Sequence, residues 1–362
     1  MGAVQKSSTL KDVAARAAVS TATVRRVLHN HGPVADETRQ AVLAALEETG
    51  YRLNSVAQGL RRGRTYTIGH LVRALVPNPF PAHIATGVAR AALAHGYSML
   101  LYNVQRDAQL ERLGVETLLQ RRVDALIFTT PVEARNVEIA RQSGIPVVQV
   151  ERVAPVATHT VTADNYRGAL SATEHLIGLG HRRIAFIGVS PSSGGSTAPA
   201  WLRALEEERL DGYRDGLGRH GIPIDAELIA LGRYFQNEES SDGDSSDAND
   251  GYISTRRLLQ ASSHPTAIFA ASDLLAAGAL QAIRDGRLRV PEDISVIGMD
   301  NTLAPFLSPP LTTVEQPMLA LGELAVKLVM DDLAARVGGA PVPRQERLPM
   351  RLIVRASTGP PR

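Results

Sequence analysis

From Thr67 onward, short apolar runs alternate with helical stretches, and this alternation constrains the fold more than any other feature of the chain. The runs TIGHLV, YSMLLYNV, VDALIFT, IPVVQV, RRIAFIGV, TAIFAA and DISVIGM are each only a few residues long. Strands that are apolar throughout and separated by helices build parallel sheets covered on both faces. About eleven such elements exceed what one doubly wound sheet usually holds, so two similar α/β lobes are expected. At 362 residues the chain is also too long for a single core. Two stretches break the rhythm. One is the Ser/Gly/Pro-rich segment Pro191–Pro199, and the other is the acidic EESSDGDSSDAND at 238–250. Both read as loops.

The first 64 residues follow a different rule, that of three short helices. Leu10, Val13, Ala14 and Ala17 share one helical face. Ala18 and Val19 break that helix, and Ser20 is placed to cap a second one running to about His29. After the His31-Gly32-Pro33 turn, Asp36 or Glu37 opens a third, where acids suit the positive end of the helix dipole. Its apolar face is read as Ala41, Leu43, Ala44, Ala45 and Leu46, and Gly50 closes it. Val13, Val19, Val24 and Val27 are assigned to a small core. Asn54–Leu60 forms a further short helix in this reading, followed by the basic linker Arg61-Arg62-Gly63-Arg64. Residues 1–64 carry ten Lys/Arg against five Asp/Glu, whereas the net charge of the whole chain is only +2. A basic head on a mildly acidic body points to a polyanionic partner.

Other classes are set aside by what the sequence lacks. With no cysteine there are no disulfides, thiolate metal sites or cysteine nucleophiles. There is no P-loop, no G-x-S-x-G elbow, no H-E-x-x-H and no G-x-G-x-x-G after a strand, so an enzyme is not expected. Neither a metal nor a cofactor is expected. Asp242, Asp244, Asp247 and Asp250 have a faint calcium-loop spacing, but a solvated acidic loop is the preferred reading of that stretch. Lys11, Asp12 and Arg16 occupy the region where a signal peptide needs an apolar core, which predicts a cytoplasmic protein and speaks against a periplasmic solute-binding protein.

The ordered set of segments has a family likeness. TLKDVAARAAVSTATVRRVLHN, VADETRQAVLAALEETGYRLNSVAQGLRRGRTYTIGHLV, NPFPAHIATGVARAALAHGY, GHRRIAFIG, ERLDGYRDGL, DISVIGMDN and PLTTVEQP together resemble the lactose-repressor (LacI/GalR) regulators. The likeness spans nearly the whole chain, with the two loops standing out as insertions. It implies a helix-turn-helix head at 1–53, a hinge helix and linker at 54–64, and an effector-binding and dimerisation domain at 65–362. That last domain divides into interleaved lobes at 65–163 plus 318–345 and at 164–317 plus 346–362. The implied protein is a repressor whose affinity for operator DNA is set by a small, sugar-like molecule, and which acts as a homodimer or a higher oligomer.

The resemblance also assigns residues. In a helix-turn-helix the second helix lies in the major groove, and the matching base readers are Thr21, Ala22 and Arg26. Arginine fits guanine O6 and N7 with two hydrogen bonds. Arg25 stands where the family usually has serine and adds a phosphate or base contact. Thr9, Leu10, Lys11, Ser20, Thr23 and His29 complete the face turned to DNA. In the hinge, Asn54, Ala57 and the wedge Leu60 enter the minor groove, although Leu53 replaces the usual proline and Gly59 interrupts the helix. In the sensor, ligands lie beyond the carboxyl ends of strands, which selects Glu151, Asp273, Asn78 and Phe80, with Gln316 and Met318 in the crossover. Asp273 is also placed to cap the helix that it opens. Counting back from Tyr213 puts Glu207 where an effector-gripping arginine is usual. Arg203 or Arg209 can substitute, and Trp201 can stack on the ligand. Carboxylates that accept paired hydrogen bonds from adjacent hydroxyls suit a sugar or polyol.

Overall fold

In the head, the Asp12 carboxylate starts the first helix by accepting from the Thr9 N–H (2.7 Å) and the Thr9 hydroxyl (2.8 Å). This helix, α1 (Leu10–Arg16), is followed by α2 (Thr21–Leu28) and α3 (Asp36–Thr49). The Ser20 hydroxyl caps α2 by accepting from the Thr23 N–H at 3.1 Å. Gly50 ends α3 in the left-handed conformation, with φ +61°. The computed structural model describes residues 8–28, 32–51, 64–76, 78–189, 200–232, 250–335 and 342–362, without the side chains of 200, 202 and 203. Val13, Ala14, Val24, Val27, Val42 and Ala45 form the core of the head, with Val19 packed against it. The third helix therefore buries Val42 and Ala45 with half of Leu46, whereas the expected face included Leu43, which is 45% exposed. The spacing 42, 45, 46 is the helical face that meets α1 and α2.

The chain divides into two compact units, Met1–Thr65 and Tyr66–Arg362. In the larger unit each lobe contains one six-stranded sheet. The first lobe holds β1 (Thr67–Val72), α4 (Phe80–Ala94), β2 (Ser98–Asn103), α5 (Ala108–Gln120), β3 (Ala125–Thr129), α6 (Ala134–Gln142), β4 (Val147–Val150) and β5 (His159–Ala163). The second holds α7 (Asn165–Gly178), β6 (Ile184–Val189), α8 (Ala200–Arg219), β7 (Ile229–Gly232), α9 (Asp250–Leu258), β8 (Ala267–Ala270), α10 (Asp273–Asp285), β9 (Ser295–Asp300) and β10 (Thr312–Glu315). The chain then returns to the first lobe with α11 (Met318–Ala335) and β11 (Gln345–Leu348), and ends in the second with β12 (Arg351–Ile353). The sheet orders are β11-β5-β4-β3-β1-β2 and β12-β10-β9-β8-β6-β7. All neighbours pair in parallel except β10 with β12.

The chain passes between lobes three times, after β5, β10 and β11, and each crossover leaves from the carboxyl end of a strand. The last crossover falls after Leu348, because Gln345–Leu348 pairs along its whole length with β5. The sequence reading put that boundary at 345/346, in the middle of the strand. A period of two cannot tell which lobe an exposed edge strand joins. Asp250 is likewise not part of a solvated loop: it opens α9, is buried, and packs against Gly232. The rest of the acidic stretch, with Asp242, Asp244 and Asp247, and the Pro191–Pro199 segment lie outside the described residues. Among the described residues no group of three or more His, Asp or Glu is arranged to hold a metal ion. None of the described helices is long and apolar enough to cross a membrane.

Candidate functional site

Two surfaces carry the chemistry, one on each unit. In the head, α2 buries Val24 and Val27, which turns Ala22, Arg25 and Arg26 outward and leaves Thr21 and Thr23 half-buried. Lys11 and Ser20 are exposed beside them. Leu10 packs against the core, and Thr9 is engaged with Asp12, so these two serve the helix itself. His29, Asn54, Ala57 and Leu60 lie outside the described residues, as do Leu53, Gly59, Arg61 and Arg62.

In the sensor, a polar cluster forms where the carboxyl ends of the two sheets converge at the crossovers. Glu151 follows β4 with φ +70°, and its carboxylate accepts from the Ala163 N–H at 2.7 Å. Asn165 opens α7 just past the first crossover. Its side-chain oxygen accepts from Arg209 Nε at 2.9 Å, and Arg209 also donates to the Ala271 carbonyl at 2.6 Å. Asp300 ends β9 with φ +120° and accepts from Gln316 Nε2 at 2.6 Å. These five residues are buried. Burial pushes the Asp300 carboxyl from 3.8 up to about 7, against the Arg209 charge, which favours ionisation; the Asp273 and Glu151 carboxylates nearby oppose it. Burial also raises Glu151, again opposed by Arg209. One fixed cation beside two carboxyls whose ionisation burial disfavours presents both donors and acceptors. Gln316 Oε1 is buried and unpaired, so the cluster keeps an acceptor in reserve.

The expected effector residues are dispersed around this cluster. Glu151 and Gln316 belong to it. Asp273 is fully buried one layer below, and its carboxylate accepts from the Leu303 and Ala304 N–H groups (3.1 Å each) and the Thr313 hydroxyl (2.6 Å). Its role as the cap of α10 falls to Ser272, whose hydroxyl accepts from the Leu275 N–H at 3.2 Å. Asn78 accepts from the Phe80 N–H at 3.0 Å, while Phe80 and Met318 are buried in one hydrophobic cluster of the first lobe. On α8, Trp201, Ala204, Leu205 and Glu208 share the face that lines a cavity of about 430 Å³ against the first lobe. Glu207 is off that face. Between the two arginines that could replace the missing one, Arg209 is the residue drawn into the cluster, and the Arg203 side chain lies outside the description. Sequence reasoning missed Asp300, although the same strand-end rule that selected Glu151 also applies to DISVIGMD. It missed Arg209 as first choice because the count along the helix ran two residues too far.

Residues 9–54 match the model of bacterial regulatory proteins of the lacI family, and residues 173–358 match a periplasmic binding protein-like domain. The chain is 34% identical to the HTH-type transcriptional regulator DegA of Bacillus subtilis, over 98% of each chain. It is also 34% identical to the ribose operon repressor of Escherichia coli, over 96% of this chain and 98% of that one. Among solved structures it resembles the lac repressor dimer bound to operator and the anti-inducer ONPF, with a TM-score of 0.77 and 28% identity over 98% of this chain and 100% of that one. The relatives are transcriptional regulators and not enzymes. This chain belongs to the lacI family of bacterial regulatory proteins.

Proposed function

We propose that this regulator is a homodimeric repressor that reads a pseudo-palindromic operator with α2 and is controlled by a neutral, polyhydroxylated effector held between the lobes. The observation that carries the effector reading is the buried cluster of Arg209, Glu151, Asp300, Gln316 and Asn165 at the converging strand ends. Adjacent hydroxyls satisfy such a mixed set of donors and acceptors pairwise, and the two carboxyls beside one arginine disfavour an anion. Two-fold pairing of heads follows from size, since one short head buries too little to bind specifically and paired half-sites need a two-fold protein. Its similarity to the lac repressor dimer supports the same assembly. A repressor of this kind works in the cytoplasm, where its DNA is.

A thermal-shift screen of sugars and polyols, followed by operator titration with the hit, tests this reading. The expected result is a hit that raises the sensor's melting temperature and changes operator affinity roughly 5–150-fold, the usual size of allosteric coupling. A screen without hits, or a hit that leaves operator affinity unchanged, overturns it.

A further inference from the structure

The cavity beside the cluster has its own chemistry. It lies between the first turns of α8 and the β5–β11 edge, and at about 430 Å³ it falls within the range of small-molecule sites, roughly 300–1,000 Å³. Its walls combine an indole, Trp201, with the hydroxyls of Thr160 and Thr162 and the amide of Gln345. Thr160 and Thr162 are alternate residues of one strand and so share a face, and Gln345 pairs directly with Thr160 across the ladder. An aromatic side chain in one cavity with hydroxyl- and amide-bearing residues matches a sugar ring, which offers an apolar face and a polar edge.

The charges around the cavity point the same way. Arg152 is paired with Glu206 at 2.6 Å, and Arg347 with Glu208 at 3.1 Å, so both cations on the wall are already neutralised. Glu151 and Glu208 also line it, which disfavours an anion such as a sugar phosphate. The Arg152 side chain is only 9% exposed and its Nε has no partner, and the partnering Glu206 is 10% exposed with Oε2 likewise unpaired. Arg152 lines the cavity, and a buried donor without a partner there is a group that a ligand hydroxyl can satisfy.

Glu151 and Asn165 belong both to this cavity and to the buried cluster, so the cavity adjoins the cluster. Building on the effector reading above, we infer that the cavity is a second ring subsite and that the effector is an uncharged two-ring saccharide or glycoside, one ring on the cluster and the other stacked on Trp201. The first turns of α8 thus become part of the specificity machinery, since they supply Trp201 and close the cavity from the side of the second lobe.

Trp201 is the only tryptophan in the chain, so its emission reports on this subsite alone. The full-length protein is titrated, by calorimetry and by tryptophan emission, with a panel of common hexoses and pentoses and with their α- and β-linked disaccharides. The expected result is a disaccharide that binds at least tenfold more tightly than its constituent monosaccharide and shifts or quenches the emission. Thr162→Leu, which fills the cavity, brings the affinity of that disaccharide down to that of the monosaccharide. Gln345→Ala on the exposed edge strand weakens it in the same direction and guards against a Thr162→Leu protein that does not fold. Tight binding with unchanged emission, or a disaccharide affinity indifferent to both substitutions, overturns the second subsite while leaving the effector reading intact. If no sugar in the panel binds, the effector reading falls and this inference with it.

Discussion

Replacing Arg26 with alanine removes one of the two outward guanidinium groups of α2, the one that the family resemblance assigns to a guanine edge. The expected loss is roughly 1–3 kcal/mol of operator affinity per half-site, with relaxed preference at one base pair. Competition titrations with single-base operator variants check this, and unchanged base preference would contradict it. A second contrast separates Arg209 from Asp273. Arg209→Ala is expected to abolish the effector response while operator binding survives. Asp273→Ala strands a buried hydroxyl and two buried N–H groups, so it should cost the sensor on the order of 3 kcal/mol in unfolding free energy. Denaturant unfolding and effector titration of both variants distinguish the roles. Asp300 adds a pH dependence. Its folded pKa is raised, to about 7, so its contribution to stability is fully present below about 4 and is lost as pH rises through about 7. Asp300→Asn should flatten the fall of the sensor's melting temperature over that window, and an unchanged slope would exclude this carboxyl as its source. Glu151 and Gln316, two of the five cluster residues, could be read from strand ends and the crossover after them. A strand-end position does not reveal whether a carboxylate turns into the cleft or, like Asp273, down onto a neighbouring loop. That depends on where the loop after β9 packs, which local sequence does not encode.

At the scale of elements, a close contact between α4 and α11 in the first lobe is set by two opposed glycines. A Cβ on Gly322 of α11 would collide with the Ile84 carbonyl of α4 and stand 2.7 Å from the Val88 nitrogen, and one on Gly87 of α4 would collide with the Leu319 carbonyl. Backbone cannot move aside as a flexible side chain can. Gly87→Ala and Gly322→Ala should therefore each destabilise the sensor by roughly 1–3 kcal/mol, outweighing the helix-propensity gain of about 1 kcal/mol. Gly178→Ala at the end of α7, where a Cβ would meet nothing within 4 Å, serves as the control and should be neutral or mildly stabilising. Melting curves of the three variants test the ranking. The βα rhythm that predicted two lobes was legible because buried parallel strands are apolar on both faces. α8 was harder to read. Its first turns line the cavity against the first lobe, while Leu210, Tyr213 and Leu217 lie in the core of the second. A helix serving two lobes has no single apolar stripe, so counting from Tyr213 chose Glu207 over Arg209.

For the whole molecule, the head and the sensor are separate compact units, and their sequences announce different partners: a basic three-helix unit for DNA and an α/β unit for a small molecule. Repression by this protein requires heads that read sequence, and read it in pairs. Selection of tight binders from a pool of random-sequence DNA duplexes, using the purified full-length protein, tests that claim most directly. The prediction is an enriched pseudo-palindrome whose two half-sites are spaced about one helical turn apart. A pool with no enriched sequence, or one enriched in a single unrepeated half-site, would contradict it.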